Sequence, residues 1–227
     1  MTLVICHCIN QNLTIVTDSL ITGHHARKPK CARFMAIPVV IAWWGDHNLE
    51  PKVLTDDPLM VPKGDRALAA SNSICDNLPR PENALPCFQS AFLTALNGTS
   101  EVHNGNRGPG GLIMSVAIEN RIRAFVYETT GGQGSWRLTG ECGVQLWPQV
   151  FGDTASLNEA LRAKTPTEDL EALKQAQTPN EFASKARLWI EATEQFQKGH
   201  ARPVTVGLPA YELVLKTDGA IEGPEAV

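Results

Sequence analysis

The residues near the start of the chain whose types and spacing could do chemistry are Thr2, Asp18, Lys30 and Gly45. Thr2 follows the initiator Met, and a small second residue is the setting in which methionine aminopeptidase generally removes Met1. Removal would leave Thr2 with a free α-amino group, whose ordinary pKa of about 8 leaves a useful unprotonated fraction near neutral pH. Amine and hydroxyl would then share one residue, so the amine can take the hydroxyl proton directly or through a water. An ammonium at close range, supplied by Lys30, would lower the pKa of both groups by like-charge repulsion. Asp18 would hold that ammonium as an ion pair. Gly45 follows an apolar run, and its backbone N–H could meet a developing oxyanion.

Positioning these residues requires a double hairpin. Thr2 to Cys8 reads as a strand, Asn10-Gln11-Asn12 as a tight turn, and Leu13 to Thr17 as the partner, closed by Asp18-Ser19. A polar loop with His24, His25, Arg27 and Lys28 leads to Lys30. Cys31 to Met35 then pairs, through Ala36-Ile37-Pro38, with Val39 to Trp44. Runs rich in Val, Ile and Trp separated by turn residues are the signature of such pairs. His24 and His25 read as solvated loop residues rather than a metal site. His7 points away from Cys6 and Cys8, toward a helix layer. Trp43 and Trp44 read as core or subunit interface.

With these residues in place, the stretch resembles the start of a proteasome β-type subunit, among the N-terminal nucleophile (Ntn) hydrolases, and is most like the bacterial members. That pattern begins with Thr, reaches Asp at the end of the second strand, a Lys opening the third, and a Gly after the fourth. Asp18 falls sixteen residues after Thr2, and Gly45 fifteen after Lys30. The resemblance implies Thr2 as nucleophile, Asp18 and Lys30 as its electrostatic supports and Gly45 as oxyanion donor. It implies substrate contacts at Ser19 and at Trp43, whose ring near the floor of the first specificity pocket would favour small side chains. Two family features have no counterpart. Val150 to Ser156 holds Gly152, Asp153 and Thr154 in place of a Ser-Gly pair, and His200 to Gly207 holds no Asp.

The rest of the chain is consistent with one α+β domain over residues 1–227. A hydrophobic fraction of 43%, a charged fraction of 19% and a net charge of −4 describe a globular chain without a nucleic-acid or anionic-membrane surface. No apolar run approaches the roughly 20 residues of a membrane span, and no secretory signal is visible. The six cysteines have neither metal spacing nor a disulfide framework, so a reduced, cytoplasmic protein without metal or cofactor is expected.

After Gly45, residues 46–64 are polar and proline-rich, an insertion foreign to the family pattern. Helices are expected over 65–75 and from Asn83 through Leu85, Phe88, Phe92 and Leu96. A hairpin follows, 112–118 with 121–128, and then strand segments at 144–147 and 150–151. The glycines at 131–134 do not open a helix after a strand and carry no nucleotide signature. Helices are expected over 156–164 and 167–177. The capping box Thr178-Pro-Asn-Glu181 opens another to about Gln197, with Phe182, Ala186, Leu188, Ile190 and Phe196 as its apolar face. A last hairpin turns at Asp218-Gly219.

This order fits a four-layer αββα sandwich. The activity it points to is hydrolysis of peptide or amide bonds within a ring-shaped homo-oligomer, with peptide substrate and an unfoldase partner left open. A structural, inactive subunit and a small-molecule Ntn amidase are the alternatives.

Overall fold

A computed structural model describes residues 2–20, 27, 29–33, 38–45, 81–99, 110–130, 135–164 and 172–227. The 46–64 insertion, the 65–75 helix, the histidines at 24 and 25 and the glycines at 131–134 lie outside the described residues. The strands are β1 (Leu3–Ile9), β2 (Asn12–Thr17), β3 (Cys31–Arg33), β4 (Val39–Gly45), β5 (Gly110–Ile118), β6 (Arg121–Thr129), β7 (Arg137–Cys142), β8 (Gln149–Gly152), β9 (Tyr211–Lys216) and β10 (Ile221–Ala226). The long helices are α1 (Pro81–Thr99), α2 (Thr154–Lys164) and α3 (Pro179–Gly199). Together they form a mixed α+β fold with two antiparallel sheets, ordered β10-β9-β2-β1-β8 and β3-β4-β5-β6-β7.

Strand alternation sorts the side chains into three clusters. Val4, Cys6, Leu13 and Ile15 of the first sheet share one cluster with Val40, Ala42, Ile113 and Ala124 of the second. The opposite face of the second sheet, with Ile41, Trp43, Met114 and Tyr127, packs on Phe88, Phe92 and Leu96 of α1. The opposite face of the first, with Leu3, Ile5 and Val16, packs on Leu157 of α2 and Phe182, Ala186 and Ile190 of α3. Each large side chain taken fully out of water contributes roughly 1.5–3 kcal/mol, and Phe88 and Phe182 are among those buried completely. β1 is apolar on both faces because each face is covered. His7, on the helix side, packs at 5.9 Å and a 45° tilt against Phe182, and its Nδ1 donates to the Val144 carbonyl at 3.0 Å.

The tight turns form where expected. Asn10 and Gln11 join β1 to β2 with φ of +48° and +66°, and Glu119 and Asn120 join β5 to β6 with +51° and +57°. Two positive φ values in a two-residue loop match the right-handed twist of the strands they join.

Two expectations are corrected, and one strand is added. Residues 144–147 form a turn, with the Leu146 and Trp147 amides both donating to the Gly143 carbonyl. Leu146 and Trp147 are exposed there, so the apolar run is not a sheet face. Strand β7 has no counterpart in the sequence pattern because its first five residues are exposed and only Cys142 is buried, which leaves no inward-facing stripe. On α3, Leu188 is 57% exposed; Trp189, Thr193 and Gln197 continue the buried stripe instead. Thr178 caps this helix as the sequence indicates: its side chain accepts the Glu181 amide, and Glu181 accepts the Gln177 amide.

Candidate functional site

Thr2, Asp18 and Lys30 meet where β1, β2 and β3 converge. Lys30 is held at both ends of its backbone: its amide donates to Thr17 Oγ1 at 3.3 Å, and its carbonyl accepts the Trp43 amide at 3.1 Å. From that clamp its Nζ reaches Thr2 Oγ1 at 2.7 Å and Asp18 Oδ2 and Oδ1 at 3.1 and 3.2 Å. Asp18 extends the β1–β2 ladder, donating its amide to the Leu3 carbonyl at 3.2 Å. Its carboxylate accepts the Leu3 amide at 2.9 Å, the Leu20 amide at 3.1 Å and the Gly207 amide at 3.4 Å.

Water is nearly excluded here: Thr2 is 3%, Asp18 0% and Lys30 8% exposed. Burial, the largest influence on both charged groups, pushes the Asp18 carboxyl up and the Lys30 ammonium down from their ordinary values. Their mutual attraction opposes both shifts, and Arg27 adds a further push downward on Lys30. A lysine so placed gives up a proton more readily than one in water, while the Asp18 pair keeps it against Thr2. The trio can therefore donate to the Thr2 oxygen and stabilise negative charge developing on it.

A second set of buried polar residues, whose meeting no sequence spacing indicates, holds the other side of Thr2. Asp153, just after β8, donates its amide to the Thr2 carbonyl at 2.8 Å. Its carboxylate accepts Thr205 Oγ1 and Gln197 Nε2, each at 2.9 Å, and the Ser156 amide at 3.2 Å, which opens α2. The Gln197 side-chain oxygen accepts the amides of Thr205 at 2.9 Å and Val206 at 3.3 Å. One residue on, Gly207 grips Asp18. The end of β8 and the loop before β9 thus supply an Asp and a hydroxyl that bond to each other. Gln197 was legible in principle, as a polar residue continuing the apolar stripe of α3.

Gly152 brings this side against the nucleophile candidate. Its φ is +94°, and a Cβ there would lie 1.7 Å from the Thr2 carbonyl oxygen, so only glycine fits. Gly45 ends β4 with φ of +105° and shares with Gly152 the wall of a cavity of about 630 Å³. Trp43 is 7% exposed and faces the α1 cluster, whereas Trp44, on the alternate face, lines that cavity. Ser19 is fully buried; its amide and hydroxyl point to the Gly207 carbonyl at 3.1 and 3.5 Å. Among the described residues no cluster of His, Cys, Asp and Glu could hold a metal ion, and no helix is long and apolar enough to cross a membrane.

No protein-family model matches the chain, and no curated protein matches it. Solved structures do. Over 100% of this chain and 87% of the other, it is similar to the Gly-1 mutant of Anbu from Hyphomicrobium sp. strain MC1, with a TM-score of 0.53 and 10% identity. With the same coverages, 100% and 87%, it is similar to Anbu (ancestral beta-subunit) from Yersinia bercovieri, with a TM-score of 0.52 and 14% identity. At such identities the likeness is one of fold. It corrects the resemblance to bacterial proteasome β-type subunits, since the structural neighbours are Anbu proteins, proteasome-like but distinct. The spacing of Thr2, Asp18, Lys30 and Gly45 belongs to the double hairpin, and a shared hairpin cannot separate families built on it.

Proposed function

We propose that this protein is a threonine-type Ntn hydrolase that cleaves peptide or amide bonds after Met1 is removed. The observation that carries the reading is the 2.7 Å contact from Lys30 Nζ to Thr2 Oγ1, with Asp18 behind it in a nearly dry site. In the reaction, the freed Thr2 amine takes the hydroxyl proton as Oγ1 attacks the substrate carbonyl. The Lys30 ammonium lowers the cost of charge on that oxygen. The Gly45 amide receives the oxyanion. The C–N bond then breaks, the amine passes its proton to the leaving nitrogen, and water hydrolyses the ester left on Thr2. Trp43, and the backbone beside Ser19, would shape the acyl side of the substrate.

Around this site the three apolar clusters support a four-layer αββα sandwich, and residues 1–227 are read as one domain. The likeness in fold to Anbu, in one case an ancestral beta-subunit, supports the chain as one subunit of a larger assembly, which we read as a ring of identical copies.

Intact-mass measurement followed by incubation with a peptide epoxyketone tests the chemistry, because that ligand closes a ring with both the Thr hydroxyl and its free amine. The expected result is loss of Met1 and one adduct on Thr2. Processed protein that stays unlabelled would reduce the chain to a structural member of an assembly. Size-exclusion with light scattering tests the ring.

A further inference from the structure

The cavity beside Thr2 lies on the opposite face of β4 from Trp43. Successive residues of a strand face opposite sides, so Trp43 packs on α1 while Trp44 lines the cavity. That wall is rigid. The Trp44 ring stacks on Phe151 at 4.7 Å and 16°, and it covers Gly111 so closely that a Cβ there would lie 2.1 Å from the indole. Gly45 and Gly152 continue the wall, and Gly152 packs directly on the Thr2 carbonyl. The cavity is therefore separated from the Thr2 carbonyl by the thickness of Gly152. At about 630 Å³ it falls within the roughly 300–1,000 Å³ of small-ligand sites.

Its far wall carries charge. Glu128 on β6 and Arg137 on β7 are register partners and both line the cavity. Both side chains are exposed, and opposite charges directly across antiparallel strands gain only roughly 0.2–1 kcal/mol by pairing. Elsewhere on these strands Arg123 makes a two-pronged ion pair with Glu141, at 2.9 and 2.8 Å. Among the described residues, Glu128 and Arg137 make no such pair with each other or with a third group. Leu138, 42% exposed, adds an apolar surface between them and Trp44. One cavity thus offers a cation and an anion without partners among the described residues, and an apolar wall.

We propose that this cavity is the leaving-group subsite, built for a departing amino acid: Arg137 takes its carboxylate, Glu128 its amine, and Trp44 and Leu138 its apolar side chain. The inference rests on Thr2 as nucleophile and makes the favoured reaction release of a carboxyl-terminal residue. When the C–N bond breaks, the acyl group stays on Thr2 Oγ1. The nitrogen leaves with the proton taken from that oxygen and becomes an ammonium beside Glu128 by gaining one more from water. Guanidinium and carboxylate match as a planar, two-pronged pair, so a carboxamide in the same place loses the interaction.

The test compares acetyl-Ala-Leu with its carboxamide on the full chain with Met1 removed. Hydrolysis of the free acid should exceed that of the amide by at least about tenfold in kcat/KM. Arg137→Gln should bring the ratio near one, whereas Arg121→Gln, remote from the cavity, should preserve it. Equal hydrolysis of both compounds, or a preference that survives Arg137→Gln, overturns the assignment. Calorimetric binding of the same pair to Thr2→Ala protein separates the two readings, because it needs no reaction. If neither compound is hydrolysed, the nucleophile reading fails, and the binding ratio still decides the cavity. A tenfold preference abolished by Arg137→Gln supports it, and a ratio of one overturns it. In the same assay Glu128→Gln should weaken free leucine but not acetyl-leucine, and equal weakening of both removes Glu128 from the amine's role.

Discussion

Replacing Lys30 by methionine keeps the length of the side chain and removes its charge. Asp18, fully buried, would then retain the amides of Leu3, Leu20 and Gly207 but lose both contacts to Nζ. Removing one partner of a buried pair costs about 3–5 kcal/mol, because the other charge stays in a dry site. For a domain of this size each kcal/mol lowers Tm by roughly 2–4 °C, so the fall should be roughly 6–20 °C. Asp18→Asn should cost a similar amount, since its amide nitrogen cannot accept the backbone donors. The double variant leaves no unpaired charge and should be more stable than the summed singles by more than about 1 kcal/mol.

The pH dependence follows from the same contacts. Burial raises the Asp18 carboxyl, and Lys30 is the largest influence pulling it back. Without Lys30, the folded-state pKa sits further above the unfolded value of about 3.9. A group raised in this way contributes stability below its unfolded pKa and loses it as pH rises through the folded one. Lys30→Met should therefore be mildly destabilised at pH 4 and progressively more so toward pH 7, relative to wild type. Urea unfolding at four or five pH values measures this. A penalty that is flat across the range, or singles that add without coupling, would refute the buried pair as drawn.

Gly152→Ala should abolish soluble protein or epoxyketone labelling of Thr2, because the new Cβ meets the Thr2 carbonyl oxygen. Gly140→Ala, with open space within 4 Å, should leave expression and labelling unchanged. Gln197→Leu leaves the Thr205 and Val206 amides without their acceptor and should lower stability by about 1–3 kcal/mol in urea unfolding. It should also slow labelling of Thr2, which tells a positioning role from a purely structural one. Iodoacetamide at pH 8 should modify exposed Cys87 in native protein but not Cys8, Cys31 or Cys142, whose thiols burial pushes up to about 11, 12 and 11. Mass spectrometry of tryptic peptides before and after unfolding reads this out.

What could be read from the chain alone depended on how local its physical cause is. The β1–β2 and β5–β6 hairpins, and the capped start of α3, are set by residues a few positions apart, so period and turn chemistry sufficed. Thr2, Asp18 and Lys30 were legible because the double hairpin brings strand ends together whatever else the chain does. The Asp153–Gln197–Thr205 network was not, since its members are 44 and 8 residues apart and meet only after α3 packs on the first sheet. Each alone looks ordinary: a helix-opening Asp, a Gln near a helix end, a loop Thr. The late strand end supplies a carboxylate, and the loop before β9 supplies a hydroxyl that donates to it. A pattern search that fixes residue type at each position passes over both. One that asks which polar groups become buried together finds a single satisfied network, tied by one amide to the Thr2 carbonyl and, through the loop ending at Gly207, to the Asp18 carboxylate.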